Sequence, residues 1–421
     1  MKKGWTETTL RAVCLKTGQW KPNTEPRSDF YYIDVSAVSN DTFTITSPQA
    51  VTGKTAPGRA RKIVHARDVI YATVRPTLRR IALVPSEYHD HMASTAFCVA
   101  RADRKFAVPE FLYFLLLSDQ VNNAIAEAQH GASYPAVTDK DIFKQVVSLP
   151  PLLEQKKIAA VLLKIQRVIE TQEKIIQSLR DLKKSAMQHL FTHGLRGEKT
   201  KMTEIGEIPE SWKLVTLRTC CQVKSSTIAF RDLETMDTRN EDDVPVHVIK
   251  VSDMNLLGND RDIVRANIEV RLPEAVAKKK AVSPLSIVFP KRGAAIATNK
   301  KRLTMEWTLL DPNLIAIVPD DSIVPLYLYY WFLTFDLASL QDLGPTPQLN
   351  KKNVDPMKFP VPKTKDEQGE VASMLDTIDA KLTLHESKKS TLQDLFKTTL
   401  NKLMAGVIRV GDLDIDAREV N

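Results

Sequence analysis

The side chains with the most chemistry to offer are cations. Arg59, Arg61 and Lys62 form one cluster and Arg75, Arg79 and Arg80 a second; Lys291, Arg292, Lys300, Lys301 and Arg302 form a third, with Asn299 inside it and Lys278, Lys279 and Lys280 just ahead. Lysine and arginine bind phosphate, and in a major groove arginine reads guanine while asparagine reads adenine. These residues, Asn299 included, are the candidate nucleic-acid contacts. A net charge of +8 and a pI near 9.1 also suit a polyanionic partner. A charge run is as often a solvated face, and for any one cluster the two readings weigh equally. Equivalent clusters after equivalent strands in two halves of the chain favour binding.

Catalytic chemistry is not legible. No G-x-G-x-x-G follows a strand, GKTAPGR (53–59) lacks the spacing of a phosphate loop, and H-E-x-x-H, C-x-x-C and G-x-S-x-G are absent. His89 and His91 flank Asp90 and would share a face on a strand, but no Cys or further His is near, so a solvated loop is expected rather than a metal site. His130, His189 and His193 are isolated, and Tyr134 either lies near the basic surface or packs its loop, with packing slightly favoured. Cys14, Cys98, Cys220 and Cys221 make neither a metal spacing nor a disulfide framework, and a reducing cytoplasm is the expected location. No signal-peptide core and no run of about 18 apolar residues occurs, so no membrane partner is expected.

Two long helices must position these clusters. From Glu154 the chain reads without Pro or Gly until Gly194, with apolar residues at Ile158, Leu162, Ile165, Ile169, Ile176 and Leu179, in steps of three and four. That is a coiled-coil seam, with Gln172 as a polar layer; Glu154 to Leu190 would be a rod of roughly 55 Å. Such a stripe needs a partner helix. Glu367–Leu403 repeats the pattern at an offset of 213, through Val371, Leu375, Ile378, Leu382, Leu392 and Leu395, with His385 in the place of Gln172. The first copy carries eight basic and four acidic residues over 154–190, the second five and six over 367–403, a bias that favours pairing between copies.

The repeat extends beyond the helices. Trp5 with Thr9-Leu10 recurs as Trp212 with Thr216-Leu217, YYIDVS (31–36) resembles HVIKVS (247–252), and VPEFLYFLLL (108–117) recurs as VPLYLYYWFL (324–333). Val-Pro before an apolar run places Pro in a helix first turn. A Gly/Pro loop follows in each half, HGASYPAVT (130–138) and LGPTPQLN (343–350). The middles, 39–62 and 256–280, do not match; modules reading different targets and plain drift after duplication explain this equally well. The reading is therefore a tandem α/β (α+β) duplication with a pseudo-twofold internal repeat and two long α-helices in an antiparallel coiled coil. Its segments are a recognition domain over 1–151, a long helix over 152–195, a linker over 196–206, a second recognition domain over 207–362, a distal helix over 363–409 and a loosely ordered acidic tail over 410–421.

LPPLLEQKKIAAVL (149–162) running into the first helix, and IGEIPESWKLVTL (205–217) opening the second half, resemble the specificity subunit of a type I restriction-modification enzyme over nearly the whole chain. FPVPKTKDEQGEV (359–371) is a weaker match. The resemblance implies two target recognition domains, each reading one half of a split, asymmetric site in double-stranded DNA. It implies that the helices set the spacing and dock two modification (methyltransferase) subunits. Those subunits would carry S-adenosylmethionine, and a restriction subunit, where one is present, would use ATP and Mg for translocation and cleavage. The chain itself would have no cofactor and no catalysis. The alternatives are a coiled-coil scaffold that binds no DNA and a self-contained DNA-modifying enzyme.

Overall fold

The computed structural model describes residues 4–20, 29–131, 133–225, 237–238, 240–342, 347–418 and 420. The chain divides into two compact units, residues 1–176 with 384–421 and residues 177–383. This cuts across the segments expected from sequence, because each unit takes a globular module and part of both long helices.

In the first unit, the strand Thr6–Thr9 pairs antiparallel with Val146–Leu149, which leads into the first long helix, Leu152–His193. One four-stranded sheet has the order Cys14–Leu15, Phe97–Ala102, Val69–Ala72, Ile81–Leu83; a second has the order Gln49–Thr52, Asp29–Ile33, His91–Ser94, Ala60–Val64. Val69–Ala72 is apolar throughout and buried at every residue, as a central strand covered on both faces should be. The second unit repeats the plan. Lys213–Thr216 pairs with Lys358–Val361 ahead of the second long helix, Lys365–Met404. The buried strand Ile287–Pro290 lies in a five-stranded sheet of order Cys221–Ser225, Leu314–Pro319, Ile287–Pro290, Arg302–Thr304, Asp262–Ile263.

The matched Glu-Gln pairs have a structural cause. The apolar helices Pro109–Leu117 and Pro325–Leu333 start with Pro, and the residue before each leaves an N–H without an intrahelical acceptor. Gln155 Oε1 accepts the Val108 N–H at 2.9 Å, and Gln368 Oε1 accepts the Val324 N–H at 2.8 Å. Both glutamines are buried, so each ties the start of a long helix to its own module.

The long helices pair antiparallel. In the first unit Gln172 Oε1 meets His385 Nδ1 at 2.7 Å, and Glu154 pairs with Arg409, so rising numbers on one helix meet falling numbers on the chain of the other. Ile158, Leu162 and Ile169 are buried with Phe396, Leu400 and Leu403, and Ile165 and Leu392 pack beside them. In the second unit Val371 and Leu375 are buried with Leu190 and Phe191, and Ile378 packs beside them. Ile176 is buried, and Leu179 and Leu382 are half-buried. One seam residue is corrected: Leu395 is 51% exposed and Phe396 is inside. Leu392, Leu395, Phe396 and Leu400 permit two registers at steps of three and four, and the larger ring fills the core.

Two further expectations are overturned. The linker holds a hairpin, Thr200–Thr203 against Gly206–Pro209, fastened by Lys201 Nζ donating to the carbonyls of Glu210 (2.8 Å) and Trp212 (2.6 Å). The tail is packed on the first unit: Val410 and Val420 are buried in its core, and Lys157 Nζ donates to the carbonyls of Gly411 (2.6 Å) and Leu413 (2.7 Å). The helices themselves end at His193 and Met404.

Candidate nucleic-acid interface

Each central strand empties into the basic loop read from sequence, and the loop has the same build twice. In the first module Arg75 has φ 46° and Arg79 φ 50°, either side of a 3-10 turn over Pro76–Leu78. In the second, Gly293 has φ 64° and Asn299 φ 52°, at the ends of a longer 3-10 turn over Gly293–Thr298. Left-handed backbone costs a non-glycine residue about 1 kcal/mol or more, so these loops are held by contacts rather than by propensity.

The same two backbone bonds hold both. The Gly/Pro loop of each half lies against the basic loop. In the first, Val137 N donates to Thr73 O (2.8 Å) and Arg75 N to Pro135 O (2.7 Å). In the second, Leu349 N donates to Lys291 O (2.8 Å) and Gly293 N to Pro347 O (2.9 Å). The result in each module is a platform of two bridged loops. The segment 343–346 of the second Gly/Pro loop and Ala132 of the first lie outside the described residues.

On the first platform Arg75 is exposed, its guanidinium 5.6 Å from the ring centre of Tyr134. Tyr134 is 78% exposed, which supports its surface reading over loop packing. Val74 and Leu78 are exposed beside them. A cation stacked on an aromatic ring, with apolar neighbours, can meet both a phosphate and a base face. On the second platform Arg292 is exposed, and Lys291 is half-buried, its pKa lowered by desolvation and then by neighbouring Arg292.

The other predicted contacts divide by what holds them. Arg59 is exposed, and Arg61 Nε donates to Gly58 O at 2.9 Å, leaving the residue half-exposed at the rim of the strand Ala60–Val64. Lys62 is buried and bound to Asp139 at 2.5 Å. Arg79 pairs with Asp119 at 2.5 Å, and Arg80 donates to the carbonyls of Val38 (2.5 Å) and Val35 (3.2 Å). In the second module Lys300 bonds Asn255 Oδ1, and Arg302 Nε donates to Asn259 O at 2.5 Å. Lys301 is 1% exposed; its Nζ donates to Asn299 Oδ1 (2.9 Å) and Phe335 O (2.5 Å), 5.2 Å from the centre of the Phe332 ring. Burial lowers its pKa to about 8 against a weaker opposing pull from Asp336. Asn299 Oδ1 also accepts the Leu337 N–H at 3.0 Å.

Lys62, Lys301 and Arg302 are thus not the open surface cations that the sequence suggests, and Arg79, Arg80 and Lys300 are engaged within the fold. Each cluster divides in two: one cation near its start, Arg59, Arg75 or Arg292, is exposed, and its trailing cations fasten the loop to the module. The signal the sequence withholds is Asp119 and the carbonyl acceptors, which come from distant segments.

His89 and His91 do not present the shared strand face that a metal half-site would use. Asp90 takes φ 63°, breaking the strand; His89 Nδ1 accepts from Ala66 N and His91 Nδ1 from Tyr31 N, both at 3.2 Å. Among the described residues no group of three or more His, Cys, Asp or Glu is placed to hold a metal, and no helix is long and apolar enough to cross a membrane. All four cysteines are free and buried.

Known proteins with this plan were found by sequence and by structure. The family model described as the type I restriction modification DNA specificity domain matches residues 2–181 and again 209–394. Two relatives from Methanocaldococcus jannaschii are each 26% identical: the MjaVIII specificity subunit of a type I restriction enzyme, over 75% of this chain and 74% of that one, and the putative MjaX specificity subunit, over 74% and 70%. A chain from a solved type I R-M system is 27% identical, with a TM-score of 0.57 over 96% of this chain and 99% of the other. The S subunit of a type I restriction-modification system from M. genitalium shares the fold, with a TM-score of 0.60 and 15% identity over 95% and 96%. With the matching domain present twice and covering most of its length, the chain belongs to the type I restriction modification DNA specificity family.

Proposed function

We propose that this chain is the DNA-reading subunit of a type I restriction-modification complex in the cytoplasm, and that each module reads one half of a bipartite, asymmetric site. The observation that carries this is the two-loop platform, built twice from the same backbone bonds with different side chains at its tip. The reading assigns Arg75 with Tyr134, supported by Arg59 and Arg61, to the first half-site, and Lys291 and Arg292 to the second. Good base contacts would each contribute about 1–3 kcal/mol of discrimination. The antiparallel helices set the spacing between half-sites and offer a repeated surface to two modification subunits. S-adenosylmethionine belongs to those subunits, and ATP and Mg to a restriction subunit where one assembles.

Single-molecule methylation mapping tests this, in cells expressing the chain with its modification subunit and in cells lacking only the chain. The expected result is a new motif of two short specified halves around an unspecified gap. An unchanged methylome with both proteins soluble and associated would refute it.

A further inference from the structure

The internal repeat places a groove at the same position in each unit. In the first unit it is lined by Leu117, Ile169, Lys397 and Leu400. In the second it is lined by their repeat partners Leu333, Leu382, Lys184 and Met187. The two copies are finished differently. In the first unit the chain's own segment Asn40–Phe43 closes over the groove. The Asp41 carboxylate accepts from Lys389 Nζ (2.9 Å) and Gln393 Nε2 (2.8 Å), Phe43 packs on the core, and Tyr113 donates its hydroxyl to Phe43 O (3.0 Å). Phe43 stands at φ 56°, a strained conformation for a bulky residue, so the contacts rather than local preference hold it there. A cavity of about 330 Å³ is left.

In the second unit the corresponding stretch does not line the groove, and its Arg261 bonds Asp376 on the long helix. Asn255 and Asn259 are engaged by Lys300 and Arg302 instead. The groove is left at about 850 Å³, with Met187, Phe191, Trp331 and Phe335 along it. Its lining is richer in cations, but Lys301 is buried on Asn299 and Phe335 and Lys183 is paired with Asp379, so the exposed cations along it are Arg180 and Lys184. Arg180 stands where Gln393 receives Asp41, and exposed Lys184 lies one turn on.

We propose that the second-unit groove docks a segment of a partner protein that carries a carboxylate two positions ahead of a bulky apolar side chain, in the manner of Asp41 and Phe43 in the first unit. The occupant's carboxylate meets Arg180 and Lys184, and its apolar side chain lies against Met187 and Phe335. The inference stands apart from DNA reading by the platforms.

The test uses the full-length chain and a fluorescein-labelled peptide of its own residues 38–45, VSNDTFTI, followed by anisotropy up to about 1 mM protein. Saturable binding is expected. R180E/K184E weakens it by about tenfold or more, and so do the D41N and F43A forms of the peptide. Reversal of Lys397 in the first unit leaves it unchanged. K184E alone, at an exposed residue, should also weaken binding while its melting curve overlays wild type, which separates docking from any loss of fold. No saturable binding, or equal binding by the reversed variant, overturns the proposal. So does displacement by a DNA duplex with all peptide forms binding alike, which would make the groove a polyanion surface.

Discussion

Lys301 separates the structural reading of the second basic cluster from the one its sequence invites. Lys301→Met keeps the length and bulk of the side chain and removes the ammonium. Two hydrogen bonds to a charged group are lost, together about 3–6 kcal/mol before compensation. Against this, the wild type holds a charge that burial disfavours: a pKa of about 8 in place of 10.5 is a penalty of roughly 3 kcal/mol at neutral pH. Asn299 Oδ1 and Phe335 O keep second donors, Leu337 N and Asn299 Nδ2, so neither is orphaned. The net loss at pH 7 is then about 0–3 kcal/mol, a fall of up to about 12 °C in the melting of the second unit. The pH dependence is the sharper readout. The folded pKa lies below the unfolded one, so between about pH 8 and 10.5 the unfolded chain binds more protons and wild-type stability rises with pH. Methionine has nothing to titrate. The gap between wild type and variant should therefore widen across that window in calorimetric scans at pH 7, 8.5 and 10. A gap that is zero or constant in pH, accompanied by lost DNA affinity, would refute the assignment and return Lys301 to the surface.

Arg75→Ala should lower DNA affinity by about 5- to 100-fold while the melting temperature stays put, because the side chain is exposed; loss of stability without loss of affinity would contradict this. Truncation before Val410 removes two buried valines and should cost the first unit about 3–5 kcal/mol, and unchanged denaturant unfolding would show that the tail is not part of its core. In the polar layer, Gln172→Leu or His385→Leu alone should each cost about 1 kcal/mol by leaving a half-buried partner unmatched, while the double substitution should be near neutral. A double-mutant cycle with no coupling would remove the layer as a register device.

What was legible in the sequence is what repeats. The offset between the helices, the Val-Pro starts of the apolar helices and the glutamines of the Glu-Gln pairs all map onto matched geometry, because each depends on contacts within a few residues or on a partner that repeats with it. What was not legible depends on a partner far away in the chain. Phe396 displaces Leu395 because of what faces them across the seam. Val420 is buried because the surface near Lys157 receives the tail. Lys300, Lys301 and Arg302 read alike as a run, yet Lys301 alone is fully enclosed, since Phe335 and Asn299 close over it.

The division within each basic cluster bears on how such a module can change what it reads. A loop held in left-handed backbone by its own tip residues would be reshaped by any substitution there. These loops are held instead from behind: Arg80 on the Val35 and Val38 carbonyls, Arg302 on Asn259, Lys301 on Phe335, and the Gly/Pro loop alongside. The tip is thereby relieved of holding the fold, and the two modules show the consequence. One carries an arginine stacked on a tyrosine, and the other a glycine preceded by an arginine, on the same pair of backbone hydrogen bonds. Specificity can drift at the tip while the fasteners stay fixed, so substitutions at Arg75 or Arg292 should alter which DNA is bound, and substitutions at Arg80 or Lys301 should lower how stable the module is.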